Sequence, residues 1–291
     1  MYGLHAVAEL LRNPRAEIQA LFVSRDHAQD ESALAAIRNE ANHRNLTPIE
    51  RTRGELDRLS QSGVHQGVIA LCGAYRYAEG VDELLGRARS LEQRPMLVLL
   101  DGVTDPQNLG ALVRSTYVLG GHGVIVPRDR SATITPAAAK AAAGATELLP
   151  IAQVPNLVRS MEELRENGVW LIAAVAPGQG GVPPWAIDLT QPSALVLGSE
   201  GQGLRPLVRK TCDLRVEIPM QRGLQGASLN VANAGAVLLY EAQRQRLALA
   251  QRADAAADDD EAETDEELDD DLDAFADGED QDDGEELEAD L

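Results

Sequence analysis

Three short segments of this chain carry side chains whose types and spacing could do chemistry. In the first, Asp101-Gly102-Val103-Thr104-Asp105-Pro106-Gln107-Asn108 leads out of an apolar run into a helical pattern, and Arg114 follows six residues later. Asn108 at the helix start can cap free N–H groups. Arg114, under two turns further on, brings a guanidinium near the same end of the sheet. In the second, Gly198-Ser199-Glu200-Gly201-Gln202-Gly203 places a carboxylate in a glycine loop after a strand. Those glycines permit tight turns and close approach of a ligand to the backbone. In the third, Ile218-Pro219-Met220 runs through a loop onto Ser228-Leu229-Asn230-Val231 at the start of a long helix, with Ser228 as the expected N-cap. Capping accounts for Ser228 and leaves Asn230 unexplained. The glycine order G-x-x-G-x-G differs from the dinucleotide fingerprint, and no phosphate-loop lysine is present. This counts against a nucleotide-dependent metabolic enzyme.

The elements that must hold these segments alternate. Met96 to Leu100, Val124 to Val126, Val169 to Val175, Ala194 to Leu197 and Leu214 to Ile218 are short apolar runs. A helical pattern over Leu109 to Leu119 separates the first two, and a long helix from about Leu229 to Leu249 follows the last. Buried strands separated by helices predict a mostly parallel sheet covered on both faces, in a domain over 95–250. Ligands of such sheets sit at the carboxyl ends of the strands, where all three polar segments lie. Residues 1–73 read as a smaller mixed α/β domain: a helix at Leu4 to Leu11, strands at Ile18 to Val23 and Gly67 to Leu71, and a helix around 29–44. Residues 74–94 read as a linker with one helix near Val81 to Leu91.

Charge divides the chain sharply. Residues 251–291 hold 22 of the 47 acids and one of the 26 bases, so the first 250 residues carry 25 of each and the formal net charge of −21 sits in the tail. With so little apolar surface to offset ordering entropy, the tail is expected to be disordered. The tail is expected to reflect solubility or lineage-specific drift, the functional alternative being an acidic arm that competes with RNA for the protein's own basic surface. Arg128, Arg130, Arg205, Arg209 and Lys210 form local basic groups on the neutral body. Cys72 and Cys212 are expected to be reduced, buried thiols, and the five histidines share no metal-ligand spacing, so no metal is expected. No apolar stretch approaches the roughly 18 residues of a membrane span, and Met1 to His5 carry no signal-peptide pattern. The expected compartment is the cytoplasm, without a membrane partner.

Taken together, Asn-x-Gly-x-x-x-Arg at 108–114, Leu-Gly-Ser-Glu-Gly-x-Gly at 197–203, and Ile-Pro-Met followed by Ser-Leu-Asn-Val at 228–231 resemble motifs 1, 2 and 3 of the SpoU methyltransferases. Tyr2-Gly3-Leu4-His5-Ala6-Val7, Val64-His65-Gln66-Gly67 and Asp101 to Pro106 extend the resemblance over residues 1 to about 247, toward the branch that modifies a guanosine of large-subunit ribosomal RNA. The resemblance implies an N-terminal substrate-binding domain similar to ribosomal protein L30e and a SPOUT-type catalytic domain with a deep C-terminal trefoil knot. It also implies a homodimer whose subunits meet at the active site, and S-adenosylmethionine as methyl donor to a ribose 2′-hydroxyl. By the same resemblance, Leu197, Gly198, Gly203, Ile218, Met220 and Leu229 would hold the cofactor. Arg114, Glu200, Asn230, Asn108 and Ser228 would serve the reaction. Gln221 to Ala227 is about two residues longer than the family pattern, which leaves contacts there open. A non-catalytic RNA-binding or ribosome-assembly protein that kept this fold is the main rival, and a transfer-RNA methyltransferase is another.

Overall fold

The computed structural model describes residues 1–13, 16–25, 31–60, 63–221 and 228–252. The acidic tail from 253 onward, and residues 222–227 of the long loop, lie outside the described residues.

The first 72 residues build α1 (Leu4–Arg12), β1 (Ile18–Ser24), α2 (Glu31–His43), β2 (Ile49–Arg51), α3 (Arg53–Leu59) and β3 (Val68–Cys72). β1 is central, parallel to β2 and antiparallel to β3. Val7, Leu10 and Leu11 share one face of α1 and pack with Ile37 and Ala41 of α2 onto Leu21, Val23, Val68 and Ala70. Arg44 closes the carboxyl end of α1, its guanidinium donating to the carbonyls of Leu10, Leu11, Asn13 and Ala16 at 2.9–3.3 Å. β2 and α3 extend the expected pattern. Thr52 and Glu55 form a reciprocal capping box at the start of α3.

The expected linker contains α4 (Val81–Ser90), and its Val81, Leu84, Leu85 and Ala88 are buried. The first three belong to the core of the second domain. Tyr75 donates to the Thr146 carbonyl at 2.8 Å, the Ile134 amide donates to Tyr77, and Asn13 donates to the Glu147 carboxylate at 2.8 Å. Burial pushes the Glu147 carboxyl above its ordinary range, opposed by its hydrogen bonds from Asn13 and Thr146.

The second domain holds β4 (Met96–Asp101), α5 (Pro106–Val118), β5 (Gly123–Pro127), α6 (Pro136–Ala142), α7 (Ala145–Leu148), β6 (Ile151–Val154), α8 (Leu157–Glu166), β7 (Trp170–Val175), β8 (Ser193–Gly198), α9 (Pro206–Thr211) and β9 (Leu214–Glu217). A last helix, α10, begins at residue 231 and continues to 252, of which 246–252 fall in a separate unit. The sheet order is β6-β5-β4-β8-β7-β9, every pair parallel. β4 and β5 are buried along their whole length, as helices on both faces require. Alternate residues serve alternate faces: Val98, Leu100, Leu195 and Leu197 meet α5 and α10, while Leu97, Leu99 and Val196 meet α4 and α8.

β4 continues outward to β5, whereas its other neighbour, β8, is followed by β9 on the far side of β7. Connections therefore leave this pair in opposite directions, which opens a crevice at their carboxyl ends. Both cysteines are free, as expected, but half-buried rather than buried, because each stands at the end of its element and not within it. Burial, and then the adjacent Asp213, push the Cys212 thiol up to about 12.

One motif residue is explained by packing alone. A Cβ on Gly110 would lie 2.2 Å from the Ala138 carbonyl oxygen and 2.7 Å from the Ala141 Cβ, so α5 and α6 approach through this glycine. Gly110→Ala is expected to lower unfolding free energy by about 1–3 kcal/mol through overpacking. Gly86→Ala, at an open position within α4, is expected to raise it by about 0.5–1 kcal/mol. Denaturant melts of the two variants check both signs.

Candidate active site

Asp101 ends β4 opposite Gly198, which ends β8. Its side chain is fully buried, and Arg205 engages both oxygens: the Arg205 amide donates to Oδ2 at 2.8 Å and its Nε to Oδ1 at 2.6 Å. A carboxylate so deep needs both partners, because an uncompensated buried charge is costly. The bond fixes where the loop after β8 must return.

That loop closes on itself. The Ser199 amide donates to the Gly203 carbonyl at 3.1 Å, and the Gly203 amide returns a bond to Ser199 at 2.9 Å. Gly201 and Gly203 hold φ of 81° and 68°, the left-handed region in which glycine pays no Cβ penalty. Gly198 is needed for a different reason from the expected approach of a ligand. A Cβ there would sit 2.2 Å from the Gly203 carbonyl carbon and 2.4 Å from the Leu204 amide nitrogen, so the loop backbone itself lies on this residue.

Held in this way, Glu200 meets two carboxamides from distant parts of the chain. Asn108 Nδ2 donates to Glu200 Oε1 at 3.1 Å. Asn230 Nδ2 donates to the same oxygen at 2.5 Å and to Asn108 Oδ1 at 2.9 Å. Asn230 also caps α10, its Oδ1 accepting from the Ala232 amide at 2.9 Å and the Asn233 amide at 3.4 Å.

Two sequence expectations are corrected here. The N-cap of α10 is Asn230, not Ser228, which is exposed three residues before the first helical position. The N-cap of α5 is Asp105, accepting from the Gln107 amide at 3.0 Å with Pro106 in the first turn, so Asn108 already lies inside the helix. The Asp-Pro pair carried that signal. Asn108 is thereby released from capping and reaches Glu200.

Beside this cluster lies a cavity of about 240 Å³ at the carboxyl ends of β7, β8 and β9. Leu197, Gly198, Gly203, Ile218, Met220 and Leu229, the six residues expected to hold a cofactor, all line it, and so do Glu200 and Ser228. Arg114 is not among the residues that line it. It is exposed on α5 and makes none of the hydrogen bonds of the cluster. Six helical steps set it about 9 Å along and about 120° around from Asn108. Sequence reasoning missed the wall supplied by the β7 loop, Val175 to Pro177 and Gln179, with Arg209 donating to Gln179 at 3.2 Å. The signal was present: Gly178, Gly180 and Gly181 follow a strand at its carboxyl end. Asp101 and its tie to Arg205 were also missed.

Residues 95–240 match the SpoU rRNA methylase family and residues 1–78 match the RNA 2′-O ribose methyltransferase substrate-binding family. The chain belongs to the SpoU rRNA methylase family. Among relatives within it, the 23S rRNA (guanosine-2′-O-)-methyltransferase RlmB of Pseudomonas syringae is 39% identical over 250 residues, 85% of this chain and 96% of that protein. RlmB of Ralstonia nicotianae is 40% identical over 251 residues, covering 84% and 95%. The crystal structure of the SpoU methyltransferase AviRb from Streptomyces viridochromogenes, in complex with AdoMet, superposes with a TM-score of 0.70 at 26% identity, covering 85% of this chain and 90% of that one. The fold is that of SpoU methyltransferases, a mostly parallel α/β domain behind a substrate-binding domain. Among the described residues, no helix is long and apolar enough to cross a membrane.

Because Asn230 both caps α10 and holds Glu200, its two duties can be separated. Asn230→Ala is expected to cost roughly 1–2 kcal/mol of stability with faster amide exchange at Ala232 and Asn233. Asn230→Ser is expected to recover most of the cap without restoring the bond to Glu200. Denaturant unfolding with hydrogen exchange distinguishes them.

Proposed function

We infer that this chain transfers the methyl group of S-adenosylmethionine to the 2′-oxygen of a guanosine ribose in 23S ribosomal RNA, acting as a cytoplasmic homodimer. The observation that carries this reading is the convergence of Asn108 and Asn230 on one carboxylate oxygen of Glu200 beside the cavity at the three strand ends. The cavity suits the donor chemically. Leu197, Ile218, Leu229 and Leu238 offer aliphatic surface to a flat base, and the loop 198–203 offers a carboxylate side chain and backbone polar groups.

When bound, S-adenosylmethionine supplies a methyl already activated on a sulfonium, so the task left to the protein is alignment over about 3 Å and help with the ribose proton. Glu200 accepts both carboxamides through Oε1. Its Oε2 remains directed by them and can orient a ribose hydroxyl or a guanidinium. The two carboxamides make the carboxylate a fixed acceptor, so its orientation is settled before the RNA arrives.

Arg114, which makes none of the hydrogen bonds of its own chain's cluster, would enter the site of a second copy. Arginine stays protonated in proteins, so its contribution is charge: it holds a phosphate or the developing alkoxide. Ser228, exposed and free of the cap, lines the cavity where it can bond the cofactor.

Calorimetric titration should show S-adenosylmethionine binding, and mapping of ribose methylation in ribosomal RNA from a strain lacking the gene should lose one 23S guanosine. Binding with an unchanged map would point to the rival assembly role. Arg114→Ala is expected to lower kcat by about 10²–10³ with little change in cofactor affinity. Mixing the inactive Arg114→Ala and Glu200→Gln dimers should restore about a quarter of wild-type sites, because half the dimers become hybrids with one intact site in two. Failure of the mixture to regain activity would place Arg114 with its own chain's site.

A further inference from the structure

A second cavity lies on the other side of the loop that follows β8. Its volume is about 390 Å³, and it opens at the carboxyl ends of β4, β5 and β8, the switch point of the sheet. Ser199, Gln202, Gly203 and Leu204 line both this cavity and the one beside Glu200, so a single thin loop separates them. The functional reading leaves this cavity unassigned.

Its charges are two and two: Asp101 and Asp129 against Arg130 and Arg205. Asp101 is spent on Arg205, which uses its amide and Nε and leaves the outer nitrogens of its half-exposed guanidinium out of that pair. Asp129 and Arg130 stand exposed at the rim. Their loop is pinned from both ends, the Arg128 amide donating to the Val154 carbonyl and the Ala132 amide to the Val103 carbonyl, both at 2.8 Å. Arg130 is held at a φ of 56°, a conformation non-glycine residues rarely adopt and one that over-determined sites retain.

A balanced pocket with one free carboxylate and guanidinium donors is a poor phosphate site and a good one for a neutral base with both kinds of edge. Guanine fits it. Its ring N–H and exocyclic amine donate along one edge, and O6 and N7 accept along another. Adenine would turn an acceptor nitrogen toward the carboxylate. We propose that this cavity receives the base of the target guanosine, with Asp129 accepting from the N1 and N2 hydrogens and Arg130 or Arg205 donating to O6 and N7. The base leaves its stack to enter, a step that is least costly for an unpaired nucleotide in a loop or bulge. The ribose attached to it then lies over the shared loop, next to Glu200. This subsite rests on the reading of the chain as a guanosine 2′-O-methyltransferase.

The test uses the full chain, S-adenosylmethionine and a transcript of large-subunit ribosomal RNA. Asp129→Ala is expected to lose about tenfold or more in kcat/KM for RNA with unchanged cofactor affinity, and Asp129→Glu to recover part of the loss. Transcript carrying 6-thioguanosine should photocrosslink to residues 128–131 or 202–206 of the wild-type chain. Activity of Asp129→Ala within twofold of wild type, tighter RNA binding by that variant as a phosphate site would give, or crosslinks absent or confined to other segments would each overturn the proposal. Methyl transfer to a guanosine with crosslinks elsewhere removes only this subsite, whereas no transfer to any ribose by the wild-type chain removes the functional reading itself.

Discussion

The buried carboxylate at the end of β4 is the constraint on which the site depends. Asp101 is fully enclosed, and its two oxygens are answered from one residue, Arg205, 104 positions away. Removing the half-exposed Arg205 side chain would leave the Asp101 carboxylate, which cannot reach water, with the backbone amide alone. Strand and loop are thus committed to each other, and everything between Gly198 and Arg205 must fit in the space that is left. The reciprocal bonds of Ser199 and Gly203 and the left-handed glycines are the means of fitting it.

From that commitment follows the arrangement of polar groups. Glu200 lies at the tip of a loop whose base is locked and is further held by side chains from α5 and the start of α10. The elements that deliver those side chains are ordinary amphipathic helices, buried through Leu109, Leu112, Leu238 and Leu239 against the same sheet face. Hydrophobic packing sets the helix positions, and polar bonding then sets the last few tenths of an ångström. Glu200 and Asn108 are free for chemistry because the packing of these helices does not depend on them.

Much of this was legible in the sequence. Buried strands announce themselves as apolar runs, so β4, β5, β7, β8 and β9 were located within a residue or two, and the three polar segments at their carboxyl ends stood out by composition. Short or half-exposed elements were not: β2 has three residues, and β6 is a four-residue edge strand preceded by a proline. Cap assignments at α5 and α10 went wrong because several residues of capping type lie within one turn, and only tertiary contacts decide which of them is used. The pairing of Asp101 with Arg205 was beyond reach for a simpler reason, since no local pattern links residues so distant. The same holds for the knot implied by family resemblance, as threading leaves no mark on periodicity.

The planar amide of Asn230 has a consequence of its own. Its oxygen faces the first turn of α10 while its nitrogen faces Glu200, and rotation by half a turn would spoil both at once. Order in that helix and orientation of the carboxylate are therefore thermodynamically linked, and the linkage is reciprocal. A ligand that stiffens Glu200 must also stiffen the amino end of α10, and a partner that grips the helix must retune the cavity.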